Sequence, residues 1–309
     1  MNVPVVALNG PTASGKTAVA VEVAHRLAAA GIPAEVVNAD SMLVYRGMDI
    51  GTAKPTLAER GGVPHHLIDI LDVTESASVA DFQALARATI AECRARGVVP
   101  LLAGGSALYV HAILDTFSFP GTDAAVRARL EAELDERGPA ELHRRLAALA
   151  PDAAAGILPG NGRRIVRALE VLELTGSVTS TLPGWEYELD QVLQFGLEVP
   201  RDVLDKRIED RVHRMWADGL VAEVERLVGR GLREGRTASR ALGYRQVLSF
   251  FAGELTEDEA RAATISGTRR FSRKQLGWFR RDPRIAWLPA GPDAAERVAS
   301  VVRGIVLIG

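Results

Sequence analysis

The sequence has 309 residues, 47% of them hydrophobic and 25% charged, with 37 Lys and Arg against 39 Asp and Glu. This balance excludes a disordered or fibrous chain, and a net charge of -2 excludes a uniformly basic nucleic-acid binder while leaving local basic patches open. The single cysteine, Cys93, excludes an internal disulfide and a cysteine-built metal centre, and reads as a small buried apolar residue in a reducing setting.

The opening residues, Met1 to Leu8, lack a basic start and a long apolar run, and no stretch approaches the roughly 18 apolar residues of a membrane span. A cytoplasmic protein without membrane contact is expected. Val3 to Leu8 reads as a buried strand, Lys16 to Ala30 as a helix stopped by Gly31, and Ala34 to Asn38 as a second strand. Ser78 to Arg96 places Phe82, Leu85, Ala86 and Ile90 at helical spacing, and Val98 to Leu102 follows as another strand. Strand and helix in alternation predict an α/β core with a parallel sheet and crossover helices.

The character changes near Phe119 to Thr122. Asp123 to Leu149 is rich in Ala, Arg, Glu and Leu, and Arg163 to Thr175 is helical again, so residues 116–197 are assigned to an inserted helical domain. Gly156 to Gly162 and Ser177 to Gly184 read as turns. Gln191 to Val199 reads as a strand returning to the sheet, with long helices to the end. The core is therefore discontinuous, 1–115 and 198–309.

Gly10-Pro11-Thr12-Ala13-Ser14-Gly15-Lys16-Thr17 fits the phosphate-loop pattern, directly after an apolar strand and before a helix. Its glycines let the backbone wrap an anion, its N–H groups are expected to point inward, and the helix start adds positive potential. Lys16 is expected to reach a terminal phosphate, and the Thr17 hydroxyl to ligate magnesium (Mg2+). A nucleoside triphosphatase would place a carboxylate at a later strand end. Here Val98 to Ala103 ends in Gly104-Gly105-Ser106, which weakens that reading, and Asp69 is a substitute or a purely structural residue. His65 and His66 are adjacent, a poor spacing for a helical zinc pair. Asp40, just past the second strand, faces the loop at the sheet edge where ligands bind. It reads either as a general base or as a turn-capping Asp. Ser106 and Tyr109 are expected at the same edge.

These blocks together carry a resemblance. Gly10 to Thr17 (GPTASGKT), Asn38 to Pro55 (NADSMLVYRGMDIGTAKP), His65 to Ile70 (HHLIDI) and Gly104 to Tyr109 (GGSALY), then Arg164 to Glu170 (RIVRALE), Leu242 to Gln246 (LGYRQ) and Thr268 to Arg281 (TRRFSRKQLGWFRR), closely resemble the tRNA dimethylallyltransferases, also called tRNA isopentenyltransferases. The resemblance spans nearly the whole chain. It implies a P-loop NTPase-like core and transfer of a dimethylallyl group from dimethylallyl diphosphate to the exocyclic amine of the adenosine 3′ of the anticodon. By matched position it implies Asp40 as base, Ser106 beside it, and Arg207 and Arg211 neutralising the leaving diphosphate. Solvated pairing of those arginines with Asp205, Glu209 and Asp210 is the alternative. It also implies tRNA contacts at Asp40, Ser41, Met42, Leu43, Ser106, Arg245 and Gln246. Two departures stand out: Ser106 replaces the family's usual Thr, and Leu158 to Gly162 lacks its usual acidic character.

Between Thr268 and Arg284, the basic residues Arg269, Arg270, Arg273, Lys274, Arg280, Arg281 and Arg284 face only Asp282. Phosphate contact with the tRNA anticodon stem-loop is expected here, notably from Arg273 and Lys274, while Phe271, Trp278 and Phe279 are read as core anchors. Arg127, Arg163, Arg164 and Arg167 on the inserted helices are further candidates for RNA contact, or a solvated face. A monomer is expected. The rival readings are a P-loop kinase for a small metabolite and a non-enzymatic RNA-binding module.

Overall fold

The computed structural model describes residues 3–178 and 184–308. In chain order, the first stretch holds β1 (Val5–Asn9), α1 (Lys16–Ala29), β2 (Ala34–Asn38), the two-residue β3 (His65–His66), α2 (Val79–Ala95), β4 (Val99–Gly104) and α3 (Ala107–Leu114). Four helices follow: α4 (Ala124–Arg137), α5 (Pro139–Leu149), α6 (Pro151–Ala155) and α7 (Gly162–Thr175). The remainder comprises β5 (Val192–Glu198), α8 (Arg201–Ala217), α9 (Leu220–Val228), α10 (Tyr244–Phe251), α11 (Glu257–Phe279), β6 (Ala286–Pro289) and α12 (Asp293–Ile308).

The six strands form one sheet in the order β3-β2-β4-β1-β5-β6, and every pairing is parallel. Both faces are covered, which is why Val5 to Leu8 of β1 are all apolar. Val5 and Ala7 point into a core with Phe82 and Ile90 of α2 and Ile113 of α3. Val6 and Leu8, one residue out of phase, pack against Leu27 of α1 and Val298 of α12 on the other face. α2 starts where Ser78 accepts a hydrogen bond from the Asp81 N–H, a side-chain N-cap. The parallel sheet with crossover helices is the P-loop NTPase-like architecture expected from the sequence. Among the described residues, no helix is long and apolar enough to cross a membrane.

The chain divides into two compact units, one made of residues up to Asp115 and from Tyr187 onward, the other of Thr116–Glu186. The expected boundary at residue 197 is corrected to Glu186. The reason is pairing: Val5 to Asn9 register with Val192 to Gly196, so β5 belongs to the sheet. The second unit has its own core of Leu130, Leu142, Leu146, Ile165 and Leu169. Fully buried Glu170 is ion-paired there to Arg127 and Arg167. Within the Leu158 to Gly162 turn, Asn161 caps α7 by accepting from the Arg164 N–H at 3.3 Å. The Ser177 to Gly184 turn falls largely on residues 179–183, outside the described residues. The strand β6, in a region read as helical to the end, is four residues long and exists through its pairing with β5.

Candidate active site

The carboxyl ends of β1, β2 and β4 lie side by side, and three loops leave them. Asn9 registers with Gly104 across the β1–β4 pair, and Asn38 with Ala103 across β2–β4. The approach of β4 to β2 is close enough that a Cβ on Gly104 would lie 2.2 Å from the Ala39 carbonyl oxygen, so only glycine fits there. Over these strand ends opens a cavity of about 560 Å³, whose lining includes Thr12, Ala13, Gly15, Lys16, Thr17, Asp40 and Leu43.

The phosphate loop curls as its pattern requires. Lys16 Nζ donates to the Pro11 carbonyl at 2.7 Å and reaches Ser14 Oγ at 3.5 Å. Burial lowers the Lys16 pKa to about 8, partly countered by Asp40 and reinforced by Arg211. The Thr12 N–H does not point into the cavity; it donates to Gln275 Oε1 at 2.9 Å.

Asp40 combines both roles read from the sequence. Its Oδ1 accepts from the Met42 N–H at 2.9 Å, and its own N–H donates to Asn38 Oδ1 at 2.8 Å, an Asx-type turn that fixes the side chain. The carboxylate also lines the cavity, and burial raises its pKa above the ordinary Asp value, against the pull of the Met42 N–H and the Lys16 charge. Ser106 does not line the cavity. Its Oγ accepts from the Ser41 N–H and donates to Ser41 Oγ, both at 3.2 Å, bracing the residue after Asp40. Met42 packs partly buried against the core, and Tyr109 lies in the core against Phe82.

The arginine pair separates. Arg211 Nη1 lies 3.5 Å from Thr12 Oγ1 and lines the cavity, whereas Arg207 is exposed on α8 and does not. Arg214, three residues on from Arg211 and so on the same helical face, takes the second cationic place in the lining. Sequence reasoning missed it, although the i, i+3 spacing was available.

The opposite wall runs through Asp49 to Thr56. Lys54, nearly buried, donates to Asp49 at 2.7 Å, to Asp69 at 2.5 Å and to the Tyr45 carbonyl at 2.7 Å. Asp69 therefore serves that ion pair. Buried Glu223 accepts from the N–H groups of Asp49, Ile50 and Gly51 and from the Tyr244 hydroxyl, clamping the start of the wall.

Several expected RNA contacts have other partners. Gln246 is buried, and its Oε1 accepts from the Gly243 N–H at 2.9 Å to cap α10, while Arg245 beside it is exposed. In the second unit Arg127 and Arg167 hold Glu170, whereas Arg163 and Arg164 are exposed at the start of α7. In the basic segment, Arg270, Arg273, Lys274 and Arg281 are exposed. Arg269 pairs with Glu209 and Arg280 with Glu198. Arg284 turns inward, forking onto Asp115 at 2.7 and 2.8 Å and pairing with Asp282. Phe279 is a core residue and Trp278 packs against His111, but Phe271 is 42% exposed, contrary to its reading as a core anchor.

Glu35, His66 and Cys93 form a compact group of metal-type ligands, yet its space is taken. Arg96 donates to both Glu35 oxygens, at 2.8 and 2.6 Å, and burial pushes the Cys93 thiol up to about 11, the opposite of a thiolate ligand.

A phosphate loop, a half-buried carboxylate and two arginines around one cavity define a P-loop protein that handles a phosphorylated substrate without a triphosphatase's carboxylate at the end of β4. The sequence profile of the family described as IPP transferase matches residues 43–282. A tRNA dimethylallyltransferase of Kineococcus radiotolerans is 64% identical, covering 96% of this chain and 93% of its own length, and one from Salinispora arenicola is 62% identical over 97% and 86%. Among solved structures, a tRNA isopentenylpyrophosphate transferase from Bacillus halodurans is 40% identical and superposes with a TM-score of 0.71, covering 97% of this chain and 96% of that one. The chain belongs to the IPP transferase family.

Proposed function

We propose that this chain transfers the dimethylallyl group of dimethylallyl diphosphate to the exocyclic amine of the adenosine 3′ of the anticodon in tRNA, releasing diphosphate. The observation that carries the reading is the pairing, in one cavity, of a phosphate loop with the half-buried Asp40 carboxylate of raised pKa, where the end of β4 carries Gly104 and Gly105 in place of an acid. The adenine amine is a weak nucleophile, because its lone pair is delocalised into the ring. As it attacks C1 of the donor, the C1–O bond breaks and Asp40 takes the amine proton. Negative charge builds on the departing diphosphate, where loop N–H groups, Lys16 and Arg211 stabilise it. Ser106 acts on this step by holding Ser41 and thus the Asp40 turn.

The cavity lining offers oxygen donors, the carboxylates of Asp40, Asp49, Glu59 and Asp218 and several threonine hydroxyls including Thr17, and no His or Cys. That set suits a hard divalent cation such as Mg2+, with the Thr17 hydroxyl as the ligand from the loop. When bound, the ion would supply charge neutralisation at the diphosphate. The adenine must leave the anticodon-loop stack to reach Asp40. Exposed Arg273, Lys274 and Arg245, with Arg163 and Arg164 of the second unit, supply phosphate contacts. A monomer in the cytoplasm fits this reading.

Arg211→Ala is expected to lower kcat/KM for the donor by about 10- to 100-fold, the range for losing a charged hydrogen-bond partner, while Arg207→Ala stays within about twofold. Steady-state kinetics with varied donor checks the contrast, and equal losses would contradict the cavity assignment.

The pH dependence of kcat/KM, which reports the free enzyme, should be bell-shaped. Lys16 is a cation below its pKa of about 8, so donor capture falls as pH rises through that value. Asp40 must be ionised to act as base, so the acid limb lies above the ordinary carboxylate range. A profile flat across this whole span would contradict these two assignments.

The function itself is tested by diphosphate release. Release should require both unmodified tRNA and dimethylallyl diphosphate; turnover of ATP without the prenyl donor would favour the kinase reading.

A further inference from the structure

We infer that Gln275 is a positioning residue for the transfer, bracing the phosphate loop against the loop that supports the base; this rests on the function proposed above. Gln275 sits on α11 and is buried to 5% exposure. Its carbonyl oxygen accepts from the Thr12 N–H at 2.9 Å, and its amide nitrogen donates to the Gly105 carbonyl at 2.7 Å. One planar amide thus joins the loop after β1 to the loop after β4. The fit is close: a Cβ on Gly105 would lie 2.5 Å from Gln275 Nε2, so the glycine leaves room for this side chain.

The connection continues toward the base. The residue after Gly105 is Ser106, whose Oγ holds the Ser41 backbone next to Asp40. A continuous run of covalent and hydrogen bonds therefore links Thr12, on the donor side, to Asp40, on the acceptor side. In a reaction where C1 of the donor must meet the amine in line, the spacing between these two loops sets the attack distance, and a shift of about 1 Å costs about 10²-fold in rate. Removing the amide would also leave a buried N–H and a carbonyl without their partner, so the loops would reorganise to satisfy them.

Single-turnover transfer with saturating tRNA and dimethylallyl diphosphate tests the assignment, because rate and amplitude separate geometry from folding. Gln275→Ala should lower the single-turnover rate by about 10- to 100-fold with the amplitude retained. Gln275→Glu keeps an acceptor for Thr12 but loses the donor to Gly105, and should fall between Ala and wild type. Gly105→Ala, which crowds the same amide from the other side, should also slow the rate, and it decides the question if Gln275→Ala does not fold. Rates within about twofold of wild type, or a lost amplitude with an unchanged rate, would overturn the proposal. If wild-type protein itself gives no transfer, the functional reading fails instead.

Discussion

Asp40→Asn should lower the transfer rate by about 10²- to 10⁴-fold, the usual contribution of a positioned general base, while tRNA and donor affinities change by less than about threefold. The substitution is nearly isosteric, and the Asn oxygen can still accept from the Met42 N–H that the Asp40 carboxylate holds at 2.9 Å. The turn therefore survives and only the proton acceptor is lost. Loss of the negative charge beside Lys16 removes a stabiliser of its cation, which shifts the basic limb of the pH profile down. Rapid-quench kinetics measures the chemical step, and a gel-shift or calorimetric titration measures tRNA affinity. A variant with wild-type rate would remove Asp40 from the chemistry and leave it as a turn cap. A variant that loses RNA binding in proportion to rate would assign it to recognition.

Arg284→Ala should damage the fold far more than RNA binding. Asp115 is 1% exposed, and the Arg284 guanidinium satisfies both of its oxygens while also pairing with Asp282 and lying 3.9 Å from the Tyr187 ring. Deleting one partner of a buried ion pair typically costs about 3–5 kcal/mol, because the remaining charge stays buried. For a domain of this size that corresponds to a fall in Tm of roughly 10 °C. The pH dependence has a definite sign. Burial already raises the Asp115 pKa above its ordinary value, so the folded state holds that proton more readily than the unfolded chain, and stability lost to a carboxylate left with only His111 Nε2 at 3.2 Å returns as pH falls. The Tm deficit of Arg284→Ala should thus shrink on acidification. Differential scanning calorimetry at neutral and acid pH reads this directly. An unchanged Tm with a weakened, salt-dependent tRNA affinity would return Arg284 to the RNA-binding surface.

What was legible from the sequence is what is encoded locally. The phosphate loop declares itself because strand, glycine turn and helix start are contiguous, and Asp40 because it follows a strand whose apolar run ends there. Both lie where three parallel strands terminate, so the topology brings them together. Helical spacing placed Arg207 and Arg211 on one face but could not say which rung meets the cavity. That depends on how α8 packs, and the cavity receives Arg211 and Arg214.

Other residues were misread because the character of a stretch hid the hydrogen bonds its members make in the folded chain. Gln246 and Arg284 lie in motif-rich or basic stretches, so they read as ligand contacts; Gly243 and Asp115 claim them in the folded chain. Gln275 carries no local signal at all, since its partner Thr12 lies 263 residues away. The short strands β3 and β6 exist through neighbours that only the tertiary fold supplies. The boundary of the second unit moved to Glu186 because Gln191 to Val199, read from the sequence as a strand returning to the sheet, pairs with β1 and so belongs to the first unit.

The central claim is that the anion held by Gly10 to Thr17 leaves from a prenyl carbon that becomes bonded to an adenine amine. Nucleoside mass analysis of unmodified tRNA, after incubation with the protein, Mg2+ and dimethylallyl diphosphate, tests it most directly. The expected product is one adenosine per reactive tRNA, immediately 3′ of the anticodon, heavier by a single dimethylallyl group and formed about 10²- to 10⁴-fold more slowly by Asp40→Asn. Unmodified adenosine across a full set of tRNAs, or prenylation by Asp40→Asn at the wild-type rate, would contradict it.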